Sequence, residues 1–289
     1  MKSNHIPVFI IIVTGVEFYL KIKKQLDAMD IPSMHISELH FHYYNKGTDF
    51  KWLRDNMNKI ESAYSIFEDE QSCLVFKNML SGLIYPTGLP FINLYTEGEY
   101  FNTGIWKCGN DDTFCDCGCF DGDTLMDFIN CTHGKFNKAY CFELDNKNFI
   151  TLKKNVSSLN QELQNKINIY NLGVYKENTK ATCGYEGESD GCEIISSGNG
   201  KPCELVRLDD IIEDCTILKM DIEGAEIDAL DGAKKLIQHS KPKLALCVYH
   251  RPEDIYEIPL KVKEFCPEYK IYLRHHSYNF LDTVMYAFA

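Results

Sequence analysis

Apolar and polar positions along this chain fall into two rhythms that alternate toward its C-terminal side. Residues 8–14 are apolar and β-branched, a strand signature, and residues 17–29 then have helix composition. Residues 49–80 follow a mostly helical pattern, and 82–98 form a turn-rich connection. The character changes at Asp112. TFCDCG predicts a strand, 116–124 a tight turn and 124–130 a helix. KAYCFEL, ending near Leu144, predicts the second strand, 149–165 a helix, and 167–174 the third strand. Residues 179–201, rich in Gly, Ser, Glu and Asn, read as a mobile or hairpin-forming insertion. Residues 216–222 predict the fourth strand. The helix after it carries Ile227, Leu230, Ala233, Leu236 and Ile237 on one side. Residues 243–250 predict a fifth strand, and KIYLRHH and DTVMYAF supply two more.

Strands alternating with helices imply a mostly parallel sheet covered on both faces. Right-handed crossovers place the loops after the strands along one edge, where such sheets bind ligands. The residues at the strand ends are therefore the candidates for chemistry.

Composition narrows the function classes. With 45% hydrophobic and 25% charged residues the chain is ordinary globular material. A net charge of -12 with no run of Lys or Arg disfavours nucleic-acid binding. The apolar run at 8–16 is nine residues long, too short for a helix of roughly 20 residues that crosses a bilayer. Thirteen cysteines without a CxxC pair, and with CDCGC alternating at 115–119, argue against a zinc knuckle. An odd count without framework spacing suits reduced thiols, hence a cytoplasmic location.

The strongest local signal is DCGCFDGDT, 116–124. Gly118 lets the backbone turn sharply after the strand, and Gly122 permits close approach to a ligand. Asp116 stands at the strand end, Thr124 opens the helix, and Asp121 and Asp123 would repel a pyrophosphate. They suit a cofactor carrying an amino group and a sulfonium. Glu143, 25 residues beyond Gly118 in CFELD, ends the second strand where an acid receives ribose hydroxyls. Asp145 follows it. This much fits a nucleoside cofactor and does not by itself exclude NAD.

Four blocks in order, DCGCFDGDT at 116–124, CFELD at 141–145, LKMDIEGAEIDALDGAKKLI at 218–237 and KPKLALCVYHRPEDIYEIP at 241–259, resemble the FkbM family of methyltransferases. The resemblance runs from about Glu99 to the C-terminus. It implies a Rossmann-like class I methyltransferase α/β sheet of seven strands with the last antiparallel, S-adenosylmethionine as cofactor, and mostly O-methylation of a small-molecule, sugar or glycan acceptor. It implies that Asp116, Gly118 and Glu143 serve the cofactor. Cys119 stands where members commonly have alanine and Leu144 where they have proline; neither change removes a polar ligand. Residues 1–98 form an N-terminal accessory α/β or helical region for substrate recognition or homodimerisation, and 99–289 the catalytic domain.

Asp221, Glu223 and Glu226 follow the fourth strand in KMDIEGAE, and Gly224 lets the chain turn there. Methyl transfer needs an aligned acceptor oxygen and a group to take its proton. Asp221 is the first candidate for base or orienting carboxylate; Glu223 either joins it or caps the following helix. His250, at the end of the fifth strand, is a second candidate base, ranked above His275 and His276. Asp221, Glu223 and His250 are also of ligand type for a divalent metal, which is not expected. The competing readings are an NAD-dependent oxidoreductase and a non-catalytic nucleoside-binding interaction protein.

Overall fold

The computed structural model describes residues 10–12, 16–35, 48–84, 94–184, 193–195, 200–277 and 280–289. At the N-terminus, β1 (Ile10–Ile12) and β2 (Ser33–His35) pair in parallel across the helix Val16–Ala28. Residues 10–12 of the apolar run read as a strand at 8–14 are strand, the rest of the run lying outside the described residues, and no helix among the described residues is long and apolar enough to cross a membrane.

The body is a seven-stranded sheet of β3 (Thr113–Cys117), β4 (Lys138–Phe142), β5 (Ile167–Tyr170), β10 (Ile217–Met220), β11 (Lys243–Cys247), β12 (Lys270–His275) and β13 (Thr283–Phe288). Its spatial order is β12-β13-β11-β10-β3-β4-β5. All neighbours run parallel except β13, which is antiparallel to both β11 and β12. The order reverses beside β3, the first strand of the set, so the loops after β3 and β10 open a crevice there.

Every residue of β3 is buried, as expected for a central strand covered on both faces. Alternation divides the core in two. Cys115 and Cys117 face a layer with Leu218, Leu244, Leu246 and the helix Asp254–Phe265. Phe114 faces the other layer with Phe128, Leu152, Ile217 and Tyr286. Asp116 and Lys219, each two residues on from Phe114 and Ile217, fall on this second face. They sit directly opposite one another across β3 and β10.

The helices Phe50–Tyr64 and Glu70–Ile84 bury Ile60, Ala63, Val75, Phe76 and Met79 in the first of these layers. Ser72 Oγ accepts the Leu273 N–H at 2.9 Å, and Arg274 Nη2 donates to Asp69 Oδ2 at 2.6 Å. Residues 48–84 therefore share the core of the large sheet at its antiparallel edge.

Three expected elements divide. The third strand ends at Tyr170, because Asn171 Nδ2 donates to the carbonyls of Glu143 and Leu144 (2.8 and 3.1 Å) and draws the chain away from the sheet. Its remainder, β6 (Gly173–Val174), joins β7 (Thr179–Gly184), β8 (Glu193–Ile195) and β9 (Lys201–Val206) in a second sheet ordered β6-β9-β7-β8. The insertion at 179–201 is therefore built on antiparallel strands with β7 in the middle, flanked by β8 and β9; 185–192 and 196–199 lie outside the described residues. The helix expected at 149–165 becomes Asn146–Ser157 and Gln161–Gln164, each with its own side-chain cap, Asp145 and Asn160. The helix after β10 becomes Glu226–Gly232 and Lys234–Ser240, parted at Ala233. The connection at 82–98 lies partly outside the described residues, since 85–93 are not among them.

Candidate active site

A cavity of about 360 Å³ opens at the C-terminal edge of the parallel strands, at the switch in strand order. On one side it is bounded by Gly118, Phe120, Asp123 and Thr124 after β3, and by Glu143 and Leu144 after β4. On the other stand Asp221, Ile222 and Glu223 after β10, together with Glu99, Tyr100 and Asp282. Seven carboxylates (Glu99, Asp123, Asp127, Glu143, Asp221, Glu223 and Asp282) line it against one cationic side chain, Lys219.

The turn after β3 can be made only by glycine. Gly118 has φ +76, and a Cβ there would lie 1.8 Å from the Asp221 carbonyl oxygen. Gly122, at φ +94, is the left-handed N-cap of the helix Asp123–Cys131 and sits against Leu152. Between them, the Phe120 N–H donates to Glu143 Oε2 at 2.8 Å, and the Asp145 N–H donates to Glu143 Oε1 at 2.8 Å. Glu143 thus ties the loop after β3 to the loop after β4, and it still faces the cavity. Burial pushes its carboxyl up to about 7, against the pull of those two N–H donors.

Asp116 lies beneath the floor. It is fully buried with Oδ1 3.1 Å from Lys219 Nζ, and its carboxyl is pushed up to about 6 by burial, with Lys219 holding it back. Lys219 also donates to the Gly118 carbonyl at 2.6 Å and reaches the cavity. Burial pulls the ammonium pKa down, but Asp116 and Asp221 outweigh it and keep Lys219 charged. Asp121 offers its carbonyl to Asn155 Nδ2 at 2.9 Å, and Asp123 Oδ1 accepts the Thr124 N–H at 2.6 Å. Asp145 Oδ1 accepts the N–H groups of Lys147 and Asn148 (2.8 and 3.0 Å), the geometry of a helix cap. Of the residues read as cofactor-binding, Gly118, Asp123, Thr124 and Glu143 line the cavity, whereas Asp116, Asp121, Gly122 and Asp145 stand behind it.

Across the cavity, β10 ends in a turn with two consecutive left-handed residues, Glu223 (φ 55) and Gly224 (φ +88). The glutamate pays roughly 1 kcal/mol for that conformation. The following helix has Ala225 as its N-cap and no side-chain cap, so Glu223 does not cap it. Its Oε2 is instead 3.7 Å from His250 Nε2. His250 Nε2 is also 3.3 Å from Asp221 Oδ1, and its Nδ1 is 2.9 Å from Glu226 Oε1. Tyr100 and Tyr249 each donate a hydroxyl to Asp221, both at 3.3 Å.

These neighbours separate the carboxylates. Burial favours protonating Asp221, but His250, Lys219 and the surrounding donors hold it well below the usual carboxylate range. Glu223 is raised by burial and by Asp221 and Glu226, with His250 opposing. His250, although burial disfavours its charge, is raised well above its ordinary value by Glu226 and Asp221. His250, read as a second candidate base, thus stands among these carboxylates. His275 and His276 are engaged elsewhere: His275 Nδ1 is 2.7 Å from Thr283 Oγ1, and His276 Nδ1 is 2.7 Å from the Thr96 carbonyl.

Asp221, Glu226 and His250 bring ligating atoms within 4.8 Å of one another. In the structure the three meet as carboxylate–imidazole contacts. Cys115, Cys117 and Cys119 are buried in and after β3, with burial raising the thiols of Cys115 and Cys119 well above their ordinary value.

Strand order, the antiparallel β13 and an acid at the end of β4 define a class I methyltransferase fold with a cavity suited to a cationic nucleoside. The chain belongs to the FkbM methyltransferase family: residues 116–280 match the methyltransferase FkbM domain. It is an S-adenosylmethionine-dependent methyltransferase of small-molecule or sugar acceptors, and neither the oxidoreductase nor the non-catalytic reading finds support. Its fold is similar to that of methyltransferase FkbM from Methylobacillus flagellatus KT, with a TM-score of 0.76 and 23% identity over 96% of this chain and 73% of that one. An rRNA methylase from Streptococcus thermophilus is a fainter likeness, with a TM-score of 0.39 and 12% identity over 62% of this chain and 87% of that one. Fibrillarin from Aeropyrum pernix, in complex with S-adenosylmethionine, reaches 0.41 and 11% over 64% and 70%. No curated protein sequence matches.

Sequence reasoning missed Lys219, Glu99, Tyr100 and Asp282 as lining residues. Lys219 was discoverable, because a lysine among buried apolar neighbours in ILKM needs an acidic partner. Glu99, Tyr100 and Asp282 arrive from the two ends of the chain, and no local pattern places them.

Proposed function

We propose that Glu223 accepts the proton of the acceptor hydroxyl, while Asp221, charged and braced by His250 and Tyr100, orients the acceptor. What carries this reading is the contrast between two carboxylates on one turn: Asp221 held low and Glu223 raised. A raised carboxylate is the stronger base, and environments that push paired acids apart divide their roles. When bound, the cofactor supplies a methyl group on a sulfonium, a cation that fits a cavity lined by seven carboxylates better than a pyrophosphate would. Glu143 receives the ribose hydroxyls, Gly118 gives close backbone approach, and Asp123 and Thr124 complete that wall. Asp116, Asp121, Gly122 and Asp145 act on the cofactor through the loops they hold.

The same lining argues for a neutral or amino-bearing hydroxyl acceptor, such as a sugar ring, and against phosphorylated or uronic ones and nucleic acid. Residues 1–98 are the accessory region on this reading. Glu99 and Tyr100 follow it directly into the cavity, which favours substrate recognition. Homodimerisation is the second role, favoured by the exposed Phe50 and Leu74 on the outer surface of its helices. Free buried thiols suit a reducing, cytoplasmic setting.

The test is methyl transfer from isotope-labelled S-adenosylmethionine to a panel of neutral, amino and phosphorylated glycosides. Calorimetric titration with S-adenosylhomocysteine runs beside it. Glu223→Gln should lose about 100-fold in kcat with unchanged cofactor affinity, and Glu143→Ala should lose the affinity. Full activity of Glu223→Gln would overturn the assignment of the base.

A further inference from the structure

We propose that Glu226 is a positioning residue for methyl transfer, whose single oxygen Oε1 locks the His250 ring and the 221–223 turn into one geometry. The proposal rests on the reading of Asp221 and Glu223 as acceptor-facing groups.

Glu226 is fully buried at the start of its helix and does not line the cavity. Its Oε1 lies 2.9 Å from His250 Nδ1 and accepts the Ile222 N–H at 2.9 Å. Ile222 is the residue between the two cavity carboxylates, so this oxygen fixes the backbone from which both project. The same oxygen orients the imidazole, whose opposite nitrogen meets Asp221 and Glu223 at 3.3 and 3.7 Å. One buried carboxylate thereby connects the end of β11 to the turn after β10.

That turn needs such a connection. Glu223 and Gly224 are both left-handed, and Ala225 contributes no side-chain cap. Other charged groups near the ring are Asp254, whose Oδ2 accepts the Arg251 N–H at 2.8 Å, Asp282 across the cavity, and Arg251, whose side chain packs at Gly224 beside His250. The Ile222 N–H goes to Glu226. Glutamine at 226 keeps a carbonyl oxygen for Ile222 but loses the anionic partner of the ring. Aspartate keeps the charge and is one methylene short.

The experiment compares wild type, Glu226→Gln and Glu226→Asp with His250→Gln as the assignment control. Nitrogen-edited NMR of histidine-labelled protein reads the ring directly. The expected result is the ring nitrogen shifts of a doubly protonated imidazole in wild type, moved toward the neutral pattern in Glu226→Gln and partly restored in Glu226→Asp, with His250→Gln assigning the signals. Backbone amide shifts at Ile222 and Glu223 move with it. With neutral methyl glycosides as acceptor probe, kcat of Glu226→Gln falls about 30- to 100-fold, the scale of a misplaced reacting group. S-adenosylhomocysteine affinity holds, while the melting temperature falls, as loss of one partner of a buried pair requires. Persistence of the wild-type ring shifts in Glu226→Gln overturns the proposal. So does a parallel fall of kcat and cofactor affinity, which marks a merely structural residue. Should Glu223→Gln prove fully active while the ring signature still depends on Glu226, the assignment of the base fails and the Glu226–His250 link stands.

Discussion

Lys219 Nζ lies 3.1 Å from Asp116 Oδ1 in the middle of the sheet, where both side chains are almost wholly removed from solvent. The two residues are register partners on β10 and β3, so the pair is built by strand alignment and needs no loop. The ammonium also holds the Gly118 carbonyl, which links a buried ion pair to the cofactor turn. Removing one partner strands the other: Lys219→Met should cost about 3–5 kcal/mol in chemical denaturation. The double variant Lys219→Met/Asp116→Leu should recover most of that stability, yet still bind S-adenosylhomocysteine poorly, because the Gly118 carbonyl has lost its donor. A single variant as stable as wild type would show that the pair contributes nothing.

Gly118 tests the turn itself. A methyl group at its Cβ position meets the Asp221 carbonyl at 1.8 Å, and backbone cannot yield as a flexible side chain does. Gly118→Ala should shift β3 against β10, lose S-adenosylhomocysteine binding in calorimetry and lower stability by about 1–3 kcal/mol. Gly104 has a similar φ, +79, with nothing near its Cβ position, and Gly104→Ala is the control for backbone strain alone.

Much of this fold could be read from the chain because its strands are short, buried and separated by amphipathic helices. TFCDC, KAYCF, ILKM and KLALC announce themselves by apolar runs, interrupted inside the strands only by the paired Asp116 and Lys219. The boundaries that slipped did so where a single side chain overrode the pattern. Asn171 ends β5 by bonding two carbonyls of another loop, and Asp145 starts a helix three residues earlier than its apolar positions suggest. Glu143 and Asp221 could be singled out because strand ends face the ligand in any such sheet. Asp282 and Glu99 could not, since their place depends on how β13 and the 94–112 segment fold back across the sheet. The difference between Asp221 and Glu223 was also hidden. Two acids two residues apart look alike until Lys219 and Tyr100 are seen to gather around Asp221, with His250 between the two and nearer to it.

Asp145 sits two residues after Glu143, the acid proposed to receive the ribose, and sequence position alone would give it the same task. Its carboxylate is spent on the N–H groups of Lys147 and Asn148 at the start of a helix. Asp145→Ala should therefore cost about 1 kcal/mol of stability, while calorimetry finds S-adenosylhomocysteine affinity close to wild type. Asp145→Ser, which can still cap, should restore most of the stability. A loss of affinity in both variants without loss of stability would make Asp145 a direct cofactor ligand instead.

The acids of the site make stability depend on pH in a direction opposite to that of ordinary ion-paired carboxylates. Burial raises Glu99 and Glu143 to about 7, and Asp116 and Asp282 to about 6, from unfolded values near 4.5 and 3.8. Between the unfolded and folded values the native protein holds more protons than the unfolded chain, so its stability falls as pH rises from about 4 to 7. Asp254, raised to about 8, extends the fall, whereas Asp221, held low, acts only below this window. The melting temperature of the ligand-free protein should drop across that range, and Glu99→Gln and Glu143→Gln should each flatten the curve. A ligand bearing an ammonium group offsets the repulsion of the ionised cavity. S-adenosylhomocysteine should accordingly raise the melting temperature more at about pH 7.5 than at about pH 5.5. A ligand-free melting temperature that does not fall through the window would mean that these carboxyls are ionised at or below their ordinary values, and that the cavity is far better solvated than its burial implies.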